Sequence, residues 1–316
     1  MSQANTLHQR EFWPGEGEKG DASPRFTPSE VVLKLEHVQI YAVQGKRRHT
    51  LVHDLSLAIH RGEMLALVGE SGSGKSVTAS AIAGLLPGAL RVGGGQIVFQ
   101  GENILPWPEK RKRALRGKRI GYMFQDYQGS FTPFLKIGRQ LVETIRSHCA
   151  MSFAEAKGIA LEWLHQVDLP EERVFHSYPF QLSGGQRQRA ALAAAMMLQP
   201  DLLIADEPTT ALDVLTGERI LDLLAMLQRR TGCAVLLISH DLRHVLKRAD
   251  TIAVMKDGRI VEMGPTETIK RRASHPYTRM LLKAAPLLSD MQAGFAGEEE
   301  EGEPAALVSG SKEGST

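Results

Sequence analysis

The chain has 316 residues, of which 42% are hydrophobic and 23% charged, and a formal net charge of +2. This is an ordinary globular balance, sufficient for one large α/β domain. No apolar run reaches the roughly 18 residues that cross a bilayer, and the N-terminus lacks the apolar segment of a secretory signal. Its two cysteines, Cys149 and Cys233, stand in unrelated contexts, so we expect reduced thiols rather than a disulfide or zinc site.

The ends of the chain differ in composition from its middle. Residues 1–30 and 289–316 are rich in Gly, Ser, Pro and Glu, so we predict a disordered leader and a disordered acidic tail around one folded region at 31–288. The basic run Lys110–Arg119 is either a surface for nucleic acid or anionic lipid, or a solvated helix face. It contains no aromatic residue, which favours the helix face.

The first predicted elements are strands, and one of them leads into a phosphate-binding pattern. Met64–Val68 is almost wholly apolar, as a strand buried on both faces is. A glycine-rich turn and a helix of small residues, Ser76–Leu86, follow it. The strands predicted before it are Val31–Leu35, Val38–Val43 and Leu51–Ile59.

The turn Gly69–Ser76 fits the pattern G-x-x-x-x-G-K-[ST]. Its glycines let backbone N–H groups surround phosphate oxygens, and the next helix N-terminus adds its positive end. Lys75 is expected to reach the β and γ phosphates of ATP, and the Ser76 hydroxyl to bind Mg²⁺. The predicted nucleotide-binding residues here are Gly69, Ser71, Gly72, Ser73, Gly74, Lys75, Ser76 and Val77.

Further along the chain the hydrophobic period becomes helical. Ser152 and Glu155 have capping-box spacing before an apolar helical pattern, so residues 127–181 are predicted to be a helical insertion. Strands and helices then alternate, which implies a parallel sheet with covered faces. The later predicted elements are strands Leu202–Ala205, Ala234–Ser239 and Thr251–Met255 and helix Glu218–Arg229.

Two adjacent carboxylates, Asp206 and Glu207, follow the apolar strand Leu202–Ala205. Asp206 suits Mg²⁺ binding, and Glu207 is suited to orient or deprotonate an attacking water. Together with the phosphate loop they predict a P-loop NTPase that binds Mg²⁺, and no more than that.

The segment Leu182–Gln186 (LSGGQ) opens another predicted helix. Ser183 and Gln186 have capping-box spacing, so a well-capped helix is one interpretation. Gly184 and Gly185 favour a second one, in which a phosphate approaches the helix N-terminus closely. The pentapeptide resembles the signature sequence of ABC ATPases, which in that family touches the γ-phosphate held by the opposite subunit.

The resemblance covers roughly residues 32–286, and its motifs appear in the family's order. It implies that Gln125 senses Mg²⁺ and the attacking water, that His240 contacts the γ-phosphate, and that Asp213, in the segment Thr210–Asp213, couples two nucleotide sites. Tyr41 is expected to stack on adenine. The predicted catalytic residues are Glu207, His240 and Gln125, and the predicted Mg²⁺ ligands are Ser76, Gln125 and Asp206.

The predicted fold class is α/β, a P-loop NTPase (RecA-like) with a parallel-sheet core. An N-terminal antiparallel β part precedes the core, and an α-helical subdomain is inserted at about 127–187. Between its motifs the sequence has neither the long coiled coils of DNA-repair ABC ATPases nor the second ATPase half of translation factors.

The end of the folded region points to one branch of the family. Gly258–Pro265 followed by His275–Leu282 is similar to the ATPase subunits of dipeptide, oligopeptide and nickel importers, with a C-terminal extension at about 263–288. Tyr127, Thr132 and Phe180 depart from the residues usual there. They belong to a surface expected to face the membrane partner. The sequence therefore does not decide whether the transported substrate is a peptide, nickel or a metal-chelating opine.

This branch implies partners and a location. A second ATPase chain, identical or different, is expected to close head to tail with this one around two ATP molecules. Residues Tyr127–Leu141 are expected to contact one of two transmembrane permease subunits at the cytoplasmic face of the cell membrane, with a periplasmic or extracellular solute-binding protein acting indirectly and no nucleic acid. The alternatives are an exporter or lipoprotein-release ATPase, and a soluble ATPase acting on nucleic acid or ribosomes.

Overall fold

A computed structural model describes residues 30–284 except 46, 127, 128 and 211. The predicted leader, apart from Glu30, and the predicted acidic tail lie outside these residues. The strands are β1 Val31–Gln44, β2 Arg47–His60, β3 Met64–Val68, β4 Leu90–Phe99, β5 Glu102–Asn103, β6 Ile120–Met123, β7 Leu202–Asp206, β8 Ala234–Ser239, β9 Thr251–Lys256 and β10 Arg259–Pro265. The helices are α1 Lys75–Ile82, α2 Glu109–Leu115, α3 Ile137–His148, α4 Phe153–Gln166, α5 Glu171–His176, α6 Gly184–Met196, α7 Val214–Thr231, α8 Leu242–Leu246, α9 Thr266–Arg272 and α10 Pro276–Lys283, with a 3₁₀ turn at Pro179–Gln181.

Two sheets organise the described residues. The larger has the order β10-β9-β3-β8-β7-β6, and its strands pair in parallel except β10, which is antiparallel to β9. The smaller, β2-β1-β4-β5, is antiparallel. Every residue of β3, β7 and β8 is buried, as expected for parallel strands covered on both faces. The predicted fold class is confirmed.

The side chains of β3 alternate between two hydrophobic cores. Met64, Ala66 and Val68 belong to the core shared with the helical insertion. Leu65 and Leu67 belong to the core between the two sheets. Because successive side chains of a strand point to opposite faces, this one strand joins both layers and holds the phosphate loop at its end.

The antiparallel sheet differs from its prediction in two ways. The two segments predicted at Val31–Leu35 and Val38–Val43 are one strand with a bulge at His37, whose φ is 51° and whose N–H donates to Ser56 Oγ at 2.9 Å. Strand β4 was not predicted, because the glycines Gly93–Gly95 interrupt its apolar pattern. Antiparallel pairing with β1 stabilises the extended conformation of β4, which its own sequence pattern does not indicate.

Two helix boundaries also differ from prediction, for local reasons. Helix α1 ends at Ile82 rather than Leu86, because Gly84 takes a left-handed conformation with φ 65°. Helix α7 begins at Val214 rather than Glu218, because the carboxylate of Asp213 caps it by accepting the N–H of Thr216 at 3.0 Å.

The helical insertion contains α3, α4 and α5 and leads into α6. The predicted capping box at its centre is confirmed, since Ser152 N–H donates to the Glu155 carboxylate at 2.7 Å and Glu155 N–H donates to Ser152 Oγ at 3.3 Å. The basic run lies partly on α2, which has no buried residue, as predicted for a solvated face. None of the described helices is long and apolar enough to cross a membrane.

Candidate active site

The phosphate loop lies between β3 and α1, at the carboxyl end of a parallel strand. Gly72 and Gly74 have φ angles of 84° and 107°, in the left-handed region that favours glycine. At Gly69 an added Cβ would lie 2.0 Å from the carbonyl oxygen of Met255 on β9. Ser71 is exposed in the loop, and Val77 packs half-buried against the core between the sheets.

Lys75, the first residue of α1, points back into the loop. Its Nζ donates to the carbonyl oxygens of Gly69 and Glu70, each at 2.8 Å, and the residue is only 4% exposed. Burial lowers the pKa of Lys75, although neighbouring carboxylates oppose this. The hydroxyl of Ser73 is buried without a hydrogen-bond partner among the described residues. A buried ammonium and an unpartnered hydroxyl in a glycine-rich loop are a donor set that fits phosphate.

The predicted Mg²⁺ ligands Ser76 and Asp206 meet at the loop. Ser76 Oγ donates to Asp206 Oδ1 at 2.9 Å, and Tyr122 on β6 donates its hydroxyl to Asp206 Oδ2 at 3.1 Å. Burial raises the pKa of Asp206, and these hydrogen bonds oppose the shift. A hydroxyl beside a carboxylate supplies the oxygen donors that Mg²⁺ prefers.

Tyr122 was not among the predicted site residues. It lies directly opposite Ile204 in the parallel register between β6 and β7, two positions before Asp206. The sequence shows an aromatic residue in a strand, but the register that brings its hydroxyl to the carboxylate depends on the sheet.

The three predicted catalytic residues come together around the carboxylate of Glu207. Gln125 Nε2 donates to Glu207 Oε2 at 3.0 Å, Thr210 Oγ1 donates to the same oxygen at 3.0 Å, and His240 Nδ1 lies 3.3 Å from it. Gln125, Glu207 and His240 follow β6, β7 and β8, whose carboxyl ends share one sheet edge. The arrangement holds one carboxylate where it can accept a proton from water.

The signature segment lies at the start of α6. Ser183 N–H donates to Gln186 Oε1 at 3.1 Å and Gln186 N–H donates to Ser183 Oγ at 3.2 Å, so the capping box is present. Ser183, Gly184 and Gly185 line a cleft of about 750 Å³ together with Asp213. Of the described residues that line this cleft, none belongs to Gly69–Ser76. The signature segment and Asp213 therefore face one cavity, and the phosphate loop contributes nothing to it.

A further polar residue joins α6 to the carboxylate strand. Gln188 is fully buried, and its Nε2 donates to the carbonyl oxygen of Pro208, directly after Glu207. Gln188 was not among the predicted site residues. The available signal was a single amide side chain on the buried face of an alanine-rich helix.

Tyr41 lies on β1, paired with Thr50 on β2. Its ring contacts Gly93, where an added Cβ would lie 2.6 Å away, and the Arg48 guanidinium lies 4.9 Å from the ring centroid. Leu51 follows Thr50 on β2, and its carbonyl oxygen lies 3.3 Å from where a Cβ on Gly74 would be. Tyr41 is thus on the strand pair beside the phosphate loop, and its stacking on adenine stays a prediction.

Comparison with known proteins gives the family. The ABC transporter family model matches residues 52–210, and the model of the oligopeptide/dipeptide transporter C-terminal region matches residues 261–312. The chain is 46% identical to the probable peptide ABC transporter ATP-binding protein y4tR of Sinorhizobium fredii, over 72% of this chain and 69% of that protein. It is 41% identical to the oligopeptide transport ATP-binding protein OppD of Salmonella typhimurium, over 83% of this chain and 78% of OppD.

Two further similarities bear on cargo and assembly. The metal-staphylopine import system ATP-binding protein CntD of Staphylococcus aureus is 39% identical, over 76% of this chain and 89% of CntD. The dimeric post-hydrolysis structure of the ATP-binding cassette MJ0796, bound to ADP and Pi, has a TM-score of 0.67 at 30% identity, over 74% of this chain and 98% of that chain. The chain belongs to the ABC transporter family, as the ATP-binding and ATP-hydrolysing subunit of an importer of the oligopeptide/dipeptide branch.

Proposed function

We propose that this chain hydrolyses ATP as one half of a head-to-tail pair. Gly69–Ser76 of one molecule and Ser183–Gln186 of the other enclose the same triphosphate, and Tyr41 stacks on the adenine. The separate cleft formed by Ser183–Gly185 and Asp213 supports this arrangement, because the phosphate loop of the same chain does not line it. The γ-phosphate favours the closed pair, and its loss permits reopening.

Glu207 is the proposed general base for the attacking water. Its contacts with Gln125, Thr210 and His240 are the observation that carries this proposal. Ser76, Asp206 and Gln125 are the residues that would hold Mg²⁺, which when bound neutralises charge on the β and γ phosphates. Lys75 adds a positive charge at the same phosphates.

Glu207→Gln tests this assignment. The amide retains the shape and the hydrogen-bond acceptor but is not a base, so turnover should fall at least ~100-fold, while ATP-bound pairs accumulate. Phosphate release by the assembled transporter and the mass of the ATPase chains by light scattering measure the two effects. Glu162→Gln, an exposed carboxylate on α4, is the matched control. Normal turnover of Glu207→Gln would remove Glu207 from its role.

We further propose that the pair works beneath two permease subunits, at the cytoplasmic face of the membrane, with a solute-binding protein outside. The second ATPase chain is either a copy of this one or a related chain. The surface assigned to the permease is Tyr127–Leu141, of which Tyr127 and Gln128 lie outside the described residues. Phe134 in this segment is 84% exposed, which supports contact with an apolar partner.

Peptides are the proposed cargo, because the match to the oligopeptide/dipeptide C-terminal region covers residues 261–312. Metal-opine import is the second candidate, supported by the similarity to CntD. ATP hydrolysis by the reconstituted transporter, with its solute-binding protein loaded with either ligand, separates the two. Stimulation by an oligopeptide supports the first, and stimulation only by a metal chelate supports the second.

A further inference from the structure

Helix α10 of the C-terminal extension contacts the phosphate loop directly. The hydroxyl of Tyr277 accepts a hydrogen bond from the backbone N–H of Glu70 at 3.0 Å, across 207 positions of sequence. Tyr277 is only 6% exposed and belongs to the core shared with the helical insertion. The Nζ of Lys256, on β9, lies 5.0 Å from the centroid of its ring. A side chain outside the ATPase motifs therefore reaches the loop that is proposed to hold phosphate.

The contact fixes one peptide unit of the loop from both sides. The peptide bond between Gly69 and Glu70 is planar, so its carbonyl group and its N–H group move together. The carbonyl oxygen of Gly69 accepts from Lys75 Nζ at 2.8 Å, and the N–H of Glu70 donates to Tyr277. Rotation of this peptide would break both hydrogen bonds at once. The orientation of Lys75 is thus coupled to the hydroxyl of Tyr277.

The helix that carries Tyr277 is itself anchored to β10. The carboxylate of Glu262 accepts the N–H of Ser274 at 2.7 Å and the N–H of His275 at 3.1 Å, and it also accepts the Ser274 hydroxyl at 2.9 Å. His275 Nδ1 then accepts the N–H of Tyr277 at 3.2 Å. These charge-assisted contacts fix the start of α10, and therefore the position of the tyrosine.

We infer that Tyr277 is a positioning residue for ATP binding, which acts through the Gly69–Glu70 peptide on Lys75. The inference rests on the proposed role of Lys75 at the ATP phosphates. The C-terminal extension therefore does more than cover the core, because Tyr277 holds the phosphate loop in the conformation that binds ATP before ATP arrives. Preorganisation of this kind raises affinity by reducing the ordering that binding requires.

Tyr277→Phe in the full chain tests the inference, since it removes the hydroxyl and keeps the ring. We expect the Kd and the KM for ATP to rise about tenfold, the factor that corresponds to one hydrogen bond, with kcat at saturating ATP reduced much less. Tyr178→Phe, a partly exposed tyrosine of the helical insertion, is the matched control and should bind ATP normally. Circular dichroism and thermal melting establish that each variant is folded.

Glu262→Gln provides a second route, because it loosens α10 without changing the loop or the tyrosine. It should raise the Kd for ATP in the same direction as Tyr277→Phe. An unchanged Kd in folded Tyr277→Phe would overturn the inference, and if that variant does not fold, an unchanged Kd in Glu262→Gln would do so. Lys75→Ala distinguishes failure of the proposed function from failure of the inference about Tyr277. If Lys75→Ala still binds ATP, the proposed function itself is contradicted. If Lys75→Ala loses ATP binding while Tyr277→Phe binds ATP normally, only the role of Tyr277 is contradicted.

Discussion

At the residue scale, the conformation of the phosphate loop is imposed partly from outside the loop. Gly69 is buried against β9, and the free space around it is smaller than one methyl group. Glu207 shows the same dependence, since its φ of 46° is unusual for a side chain with a Cβ and its N–H donates to the carbonyl oxygen of Ile238 at 3.0 Å. Both residues are held in place by the neighbouring strands.

Gly69→Ala should therefore damage the site. The added Cβ would lie 2.0 Å from the carbonyl oxygen of Met255, so the loop must shift. We expect ATP binding to weaken tenfold or more, because overpacking of this kind typically costs about 1–3 kcal/mol. Titration with ATP measures the effect. Gly88→Ala, where no atom lies within 4 Å of the new Cβ, should bind ATP normally, and equal affinity in the two variants would contradict the contact with Met255.

At the element scale, the anchoring of α10 depends on an ionised carboxylate. Burial opposes the ionisation of Glu262, but hydrogen bonds from Ser274 and His275 outweigh it and lower its pKa to about 2. Because the pKa is lower in the folded chain than its ordinary value of 4.5, the carboxylate stabilises the fold above that value. This contribution is lost as the pH falls from about 4.5 towards 2.

Glu262→Gln should accordingly lower the melting temperature at pH 7. Each 1 kcal/mol of lost unfolding free energy corresponds to a fall of about 2–4 °C in a chain of this size. The difference from the unmodified chain should shrink as the pH is lowered below about 4.5, the ordinary pKa of the carboxyl. Thermal melts between neutral and acidic pH measure this dependence. Glu162→Gln should melt like the unmodified chain throughout, and a Glu262→Gln difference that does not change with pH would contradict the assignment.

Helix α4 contains a glycine that nothing in its surroundings requires. Gly158 is exposed, and no atom lies within 4 Å of an added Cβ. Gly158→Ala should raise the stability of the chain by about 1 kcal/mol, the difference between the two residues in a helix interior. The expected rise in melting temperature is about 2–4 °C for a chain of this size. A fall in melting temperature would show that α4 needs the glycine after all.

At the scale of the whole molecule, the two halves of the proposed site belong to different surfaces of one chain. The phosphate loop lies on the parallel-sheet core, and the signature segment begins α6 beside its own cleft. In the proposed pair, one chain therefore binds ATP with its loop, while hydrolysis needs a second chain to complete the site.

Ser183→Arg should separate these two steps. A large side chain at the start of α6 enters the cleft and obstructs the approach of the partner's nucleotide, so turnover by the assembled transporter should fall on the order of 100-fold, as when one transition-state contact is lost. The isolated chain should bind ATP with unchanged affinity. ATP titration and phosphate release are the two measurements, and a joint loss of binding in the isolated chain would mean that Ser183 serves its own phosphate loop.

Much of the site follows from short stretches of sequence, because the physics there is local. A glycine-rich turn between a buried strand and a helix, two acids after an apolar strand, and a capped helix start each depend on neighbours a few residues away. The same holds for the capping boxes at Ser152 and Ser183, which were predicted from spacing alone. Where the sequence was ambiguous, as in the glycine-interrupted strand β4, pairing with β1 decided the structure.

The amino-acid sequence by itself thus determined the family, the phosphate loop, the carboxylate pair and the alternation of strands and helices in the core, whereas the order of the strands in the sheet came from the structure. Only the tertiary structure decided that Gln125, Thr210 and His240 meet at one oxygen of Glu207, that Tyr122 reaches Asp206, and that the Tyr277 hydroxyl accepts the N–H of Glu70. The physical reason is how far apart in the sequence the interacting residues are. Backbone turns and helix caps are set by adjacent residues, whereas these contacts join residues that only sheet register and helix docking bring together.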